Sequence, residues 1–142
     1  MRTPLLAALL FALSNAGMAR AADAGGDAAR SYRITTADST ASLKVGQKGR
    51  LVLVVEPVVE GVHVNAQAPL RIALESTAGI RLEKDRLTLA DAAGGAAPRF
   101  EVAFAALAPG RHSARAKLDF YICSDSWCVK QVRTVAIPVE VR

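Results

Sequence analysis

Residues 99–107 read RFEVAFAAL. Phe100, Val102 and Phe104 fall on one side of an extended chain and Glu101 and Ala103 on the other, because successive side chains of a strand point to opposite faces. That period of two marks a half-buried strand. A second run, LVLVV at 51–55, is apolar without interruption and reads as a strand buried on both faces.

Outward from these two, the chain breaks into short runs of the same kind, separated by Gly, Pro, Asn and Asp: SYRITT, ASLKV, GRLVLVVE, GVHVN, LRIALES, GIRLEK, RLTLA, RFEVAFAAL, SARAKLDFYIC and WCVKQVRTVAIPVEVR. None sustains a helical period. About nine strands in roughly 110 residues, with turn signals every 8 to 12 or so, predict an all-β, immunoglobulin-like β-sandwich over residues 31–142. The long cysteine-to-cysteine separation of antibody domains is missing. Residues 22–30, ADAGGDAAR, carry no pattern and are expected to form a flexible leader, and ADAAGGAAP at 90–98 is the longest flexible-looking internal loop.

The first 21 residues stand apart. Arg2, an apolar run from Pro4 to Leu13 and the small-x-small exit Ala19-Arg20-Ala21 predict a secretory signal peptide. The apolar run is about half the ~20 residues a membrane-spanning helix needs, so no transmembrane segment is expected in the mature chain. No cysteine follows it to accept a lipid. The expected location is the periplasm.

The full chain has 18 Lys and Arg against 13 Asp and Glu, a formal charge of +5, and loss of Arg2 and Arg20 with the signal leaves +3. The remaining cations (Arg71, Arg81, Lys84, Arg86, Arg99, Arg111, Arg115) are scattered and aromatics are few, which is not the pattern of a nucleic-acid surface. Both methionines leave with the signal, removing any thioether ligand for a soft metal. With 51% hydrophobic residues the chain has ample material for one core.

The two cysteines, Cys123 and Cys128, stand in FYICSDSWCVK at 120–130. They flank a four-residue turn between two strand-like runs. Opposed positions of an antiparallel pair approach to about 4.5–5.5 Å, which permits a disulfide, and an exported chain enters an oxidising compartment where one persists. Three readings stay open: a staple, a metal claw, or a bond that exchanges with a partner. As a staple the bond closes a short loop, and the chain-entropy expression gives only about 2 kcal/mol. A zinc site would need two more ligands, and His63 and His112 lie on separate runs without ligand spacing, so no metal and no cofactor are expected. Parity places Leu118, Phe120 and Ile122 on one face and Cys123 with Asp119 and Tyr121 on the other. Cys128 shares parity with Lys130, so without a bulge both sulfurs are expected to face solvent. Trp127 reads either as a side chain folded onto the sandwich edge or as an apolar contact that docks a partner or shields the bond.

GVHVNAQAPLRIALES, GIRLEKDRLTLA and FYICSDSWCVKQVRTVAIPV resemble the N-terminal (alpha) domain of the bacterial thiol:disulfide interchange protein DsbD, over residues 31–142. The most specific part is the strand, the cysteine, a short turn with an aromatic before the second cysteine, and the closing strand. The resemblance implies an immunoglobulin-like domain whose cysteine pair passes electrons in the periplasm. Cys123 and Cys128 would be the redox pair, with Cys128 attacking a partner disulfide, His63 and Asn65 would lie on strand positions beside them, and Trp127 would replace the family's aromatic. The implied partners are thioredoxin-fold periplasmic proteins as acceptors and a separate membrane thiol reductase as donor, since the chain ends at Arg142 without the family's membrane and thioredoxin-like domains. Here the chain departs from the family: the cap loop that shields the family's disulfide with an aromatic corresponds to Asp91–Ala97, which holds only Asp, Ala and Gly.

No helix is expected near the pair to lower a thiol pKa, Asp125 in the turn would disfavour a thiolate, and Lys130 offers opposing charge. The expected chemistry is therefore partner-aligned thiol–disulfide exchange. The competing expectation is a secreted binding or scaffold sandwich whose disulfide is inert.

Overall fold

A computed structural model describes residues 24–142, so the expected signal peptide lies outside the described residues. Ten strands follow one short helix: α1 (Ala24–Arg30), β1 (Tyr32–Thr35), β2 (Ser42–Leu43), β3 (Lys48–Pro57), β4 (His63–Val64), β5 (Arg71–Ser76), β6 (Ile80–Leu82), β7 (Arg86–Thr88), β8 (Arg99–Ala106), β9 (Gly110–Cys123) and β10 (Cys128–Val141). Each of the ten runs named from the sequence holds a strand.

The strands form two sheets, a four-stranded one in the order β1-β3-β8-β6 and a six-stranded one in the order β2-β10-β9-β5-β7 with β4 on β9. All neighbours are antiparallel except β2 and β10. The all-β sandwich expected from the patterning is the observed fold. Phe100, Val102 and Phe104 of β8 point into the core against Phe120, Leu118 and Ile122 of β9, all buried. Each fully buried side chain of this size contributes about 1.5–3 kcal/mol by removal from water, which is the main force holding the sheets together.

Val52 is buried although its neighbours Leu51 and Leu53 face the core. Beyond β1 the 36–40 segment follows the same edge of β3: the Ser39 hydroxyl accepts from the Val52 amide at 2.8 Å and donates to its carbonyl at 3.1 Å. Farther along that edge, the Tyr32 ring meets Phe120 edge to face at 5.2 Å, and its hydroxyl donates to Gln131 Oε1 at 2.9 Å. Burial first, then the charge of Arg133, decides the phenol's ionisation: the balance holds its pKa above the ordinary value.

The expected flexible leader differs. Ala24–Arg30 forms the helix α1, with Ala28 fully buried in the core and Asp27 paired with Arg30 at 3.0 Å. Seven residues with two glycines have no intrinsic reason to be helical in water. Docking of Ala28 supplies the missing free energy, and no local period announces it.

Candidate functional site

β9 and β10 run side by side for fourteen residues each, and the register sets Cys123 directly opposite Cys128. The Ser124 amide donates to the Trp127 carbonyl at 2.8 Å. That makes 124–127 the hydrogen-bonded pair and 123–128 the closer, non-hydrogen-bonded pair next to it. The Cα atoms are 4.0 Å apart and the disulfide is formed. Ser124 Oγ accepts from the amides of Ser126 and Trp127 at 3.2 Å each, closing the turn and leaving Asp125 exposed at its tip.

The two sulfurs are not equivalent. Cys128 is exposed, whereas Cys123 is only 5% exposed. Parity does place both on the outer face of the sheet, but the expectation that both open to solvent fails for Cys123. The reason lies in β4, which pairs with the end of β9 so that His63 stands opposite Cys123 and Val64 opposite Ile122. Such contacts from a neighbouring strand are invisible to the parity of one strand.

Beyond β4, Asn65 closes over the bond. Its amide nitrogen Nδ2 lies 3.5 Å from Cys123 Sγ and 3.6 Å from Cys128 Sγ. Its Oδ1 accepts from the amides of Gln67 and Ala68 at 2.8 and 3.1 Å. Two N–H donors on one oxygen fix which end of the amide faces the sulfurs. The Asn65 backbone amide donates to the Tyr121 carbonyl at 2.9 Å, tying the same residue to β9. The structure therefore brings Asn65, His63, Cys123, Cys128 and Tyr121 into one patch, with His63 exposed and Tyr121 half-buried.

Lys130 does not serve the sulfurs. Its ammonium pairs with Asp119 at 3.2 Å, so the opposing charge expected beside the pair is spent on its own sheet face. Trp127 is half-buried and packs against the core, which is the folded-onto-the-edge reading. With Ser124 it walls one side of a groove of about 340 Å³ whose other side is Asp27, Arg30, Val59, Glu60 and Val62. A helix does lie beside the turn, then, contrary to expectation, with Asp27 and Arg30 of α1 across the groove from Ser124 and Trp127.

The 89–98 segment is more ordered than its composition suggests. Leu89–Asp91 makes a 3-10 turn, and Ala93 and Arg99 bond each other's backbones at 2.8 and 2.9 Å. Asp91 is held by Lys84 and by the Thr88 amide at 2.8 Å, and these hydrogen bonds, the Lys84 one foremost, keep its carboxyl below the usual carboxylate range. The loop lines a hollow together with Ala66. Cover over the sulfurs comes instead from Asn65, which the resemblance to the DsbD domain placed beside the pair but whose clamp only the Gln67–Ala68 turn creates. His112, on the other end of β9, bonds the Ala108 carbonyl at 2.8 Å and takes no part.

No protein-family model matches the chain, and no curated protein matches it. Among solved structures it is similar to Escherichia coli alpha-2-macroglobulin from domain MG7 to the C-terminus, at 16% identity and a TM-score of 0.50, covering 78% of this chain and 16% of that one. The native conformation of the same macroglobulin gives 17% identity and a TM-score of 0.48 over 78% of this chain and 6% of that one. A conjugative transposon lipoprotein from Bacteroides eggerthii gives 8% identity and a TM-score of 0.44, covering 78% and 97%. The chain thus spans a small part of the macroglobulins it resembles. At these identities the likeness shows the sandwich fold alone. None of these structures is a DsbD domain. Among the described residues, no helix is long and apolar enough to cross a membrane.

Proposed function

We propose that this β-sandwich is a periplasmic thiol–disulfide exchange module whose working bond is Cys123–Cys128. The observation that carries the reading is the asymmetry of the bond: Cys128 Sγ is exposed at a hairpin tip while Cys123 sits covered beside an amide donor. Exchange proceeds by attack of a thiolate along the S–S axis, so one open sulfur and one supported leaving group are what it requires.

A donor thiolate attacks Cys128 Sγ, and the S–S bond breaks with its electron pair leaving on Cys123. Asn65 Nδ2–H stands where it stabilises that thiolate until it takes a proton. The donor's second thiolate then attacks the donor sulfur of the mixed disulfide, releasing Cys128. The donor dithiol is oxidised by two electrons and this pair reduced by two. In the forward half, Cys128 attacks an acceptor disulfide and Cys123 resolves the mixed disulfide. Thioredoxin-fold proteins suit both partner roles, with a membrane thiol reductase as ultimate donor, as the resemblance to the DsbD domain implies. Lys130, two residues along the strand from Cys128, is engaged by Asp119, so the partner's own activated cysteine sets the rate.

A second reading, an exported binding or scaffold sandwich with an inert disulfide, is favoured by the 5% exposure of Cys123 and by the generic sandwich likeness. The reduction potential separates the two. A bond below about −300 mV resists the thiol pool and is a staple, whereas a higher potential suits exchange. Trapping gives the direct test: Cys123→Ser leaves Cys128 free to hold a thioredoxin-fold protein from periplasmic extract as a mixed disulfide. Failure to capture one, with a potential in the structural range, overturns the exchange reading.

A further inference from the structure

The hydrogen-bond direction of β10 alternates with its residues. Tyr121 and Ser113 of β9 turn their carbonyls away from β10, accepting from Asn65 and Thr77 at 2.9 and 3.1 Å. Their opposites on β10, Lys130 and Pro138, therefore turn their own backbone groups away from β9, as do Val132, Thr134 and Ala136 between them. β2 covers this outer edge only at Glu140 and Val141. Apart from the Lys130 carbonyl, which accepts from Gln131 Nε2 at 3.0 Å, the outward groups from Lys130 to Ala136 have no protein partner among the described residues.

Edge strands are ordinarily guarded by a charge, a bulge or a proline. Here the proline, Pro138, closes only the far end, where its missing N–H costs no ladder bond. Lys130 is drawn onto the sheet face by Asp119, and Val132, at the centre of the open stretch, is 51% exposed. The helix α1 packs against β10, yet among the described residues nothing hydrogen-bonds to the outward backbone groups of Val132, Thr134 and Ala136, and that stretch of edge stays open.

Its charge environment states what fits. Arg115 and Lys117, opposite Ala136 and Thr134, form no ion pair within 4.0 Å, although Glu75 of β5 stands across from Arg115, and Arg133, whose guanidinium lies 5.7 Å over the Tyr32 ring, forms none either. On the other sheet Arg33, Lys48, Arg50 and Arg99 are paired with carboxylates, and only Arg81 of its strand cations is not, among the described residues. Unpaired cations on both faces of the open edge complement an acidic strand. A second copy of the chain would bring its own cations alongside.

We propose that residues 130–136 of β10 are a strand-addition site for an extended, acidic segment of a partner protein. Main-chain hydrogen bonds to Lys130, Val132, Thr134 and Ala136 would hold it, and carboxylates would sit by Arg133, Lys117 and Arg115. The site stands independently of the exchange chemistry, although a segment so bound runs directly past Cys128.

The test uses a short peptide alternating threonine and glutamate, the same peptide N-methylated at alternate amides, and a threonine–lysine version. Amide resonances of the protein are followed by NMR during titration. The proposal expects saturable shifts at Lys130, Val132 and Thr134, with binding weakened by about tenfold or more on N-methylation, since several hydrogen bonds are lost, and likewise with the lysine peptide. Val132→Pro, which removes an outward N–H and no ladder bond, should weaken binding while leaving the core resonances in place. Equal binding of the N-methylated peptide, shifts centred on Arg71 and Arg86, or no shifts at all would each overturn it. So would concentration-dependent dimerisation abolished by Val132→Pro, which would assign the edge to a second copy.

Discussion

Asn65 Nδ2 lies 3.5 Å from Cys123 Sγ, while the oxygen of the same side chain is pinned by two backbone amides. A donor fixed beside a sulfur favours the charged, reduced form over the disulfide. Asn65→Asp keeps the oxygen that closes the 65–68 turn and removes the donor. It should make the bond harder to reduce by about one hydrogen bond's worth, on the order of 30 mV. Equilibration with a glutathione redox buffer reads this directly, and an unchanged potential would remove Asn65 from the chemistry.

Inequality of the sulfurs predicts inequality of the thiols. In the reduced protein Cys128 should react with a maleimide on the order of tenfold or more faster than Cys123, because thiol reactivity follows access as well as ionisation. Mass spectrometry of the labelled peptides at short times checks the order. Equal rates would mean that β4 does not shield Cys123 in solution.

The buried Tyr32 hydroxyl makes stability pH-dependent at the alkaline end. Its folded pKa is raised, so the folded state holds the proton more tightly than the unfolded chain. Its contribution is complete below the unfolded value of about 10 and is lost as pH rises through the folded value. Tyr32→Phe should erase that alkaline component. At neutral pH it should also cost about 1–3 kcal/mol by leaving Gln131 Oε1 without its partner. Urea unfolding at neutral and alkaline pH would show both effects.

Gly79 has no room for a side chain. A Cβ there would meet His112 Cε1 at 1.8 Å, and His112 is anchored by the Ala108 carbonyl. Gly79→Ala should destabilise by about 1–3 kcal/mol through overpacking. In a His112→Ala background the same change should cost much less, and a double-mutant cycle on unfolding free energies measures the difference.

How much of this was legible beforehand differs by residue. Phe100, Val102 and Phe104 could be assigned to the core from their spacing, because strand side chains alternate whatever the partner strand is. Trp127 could not be decided, since its two readings differ only in what stands opposite, and that is the segment around Val59 and Val62 together with α1. Ala28 gave no signal at all: its helix packs against β1 and β10, and burial of that methyl group is what a local pattern does not record.

From the amino-acid sequence alone came an all-β sandwich, the places of its strand-like runs and a hairpin turn whose two flanking cysteines could meet. These are local properties, set by side-chain period and turn chemistry over a few residues. Tertiary structure alone decided that one sulfur is covered and the other open, that Asn65 clamps both, and that among the described residues the outward groups of Val132 to Ala136 on β10 have no strand beside them. Each of these depends on which distant strand lies alongside and where it stops, and a short-range pattern carries no record of that.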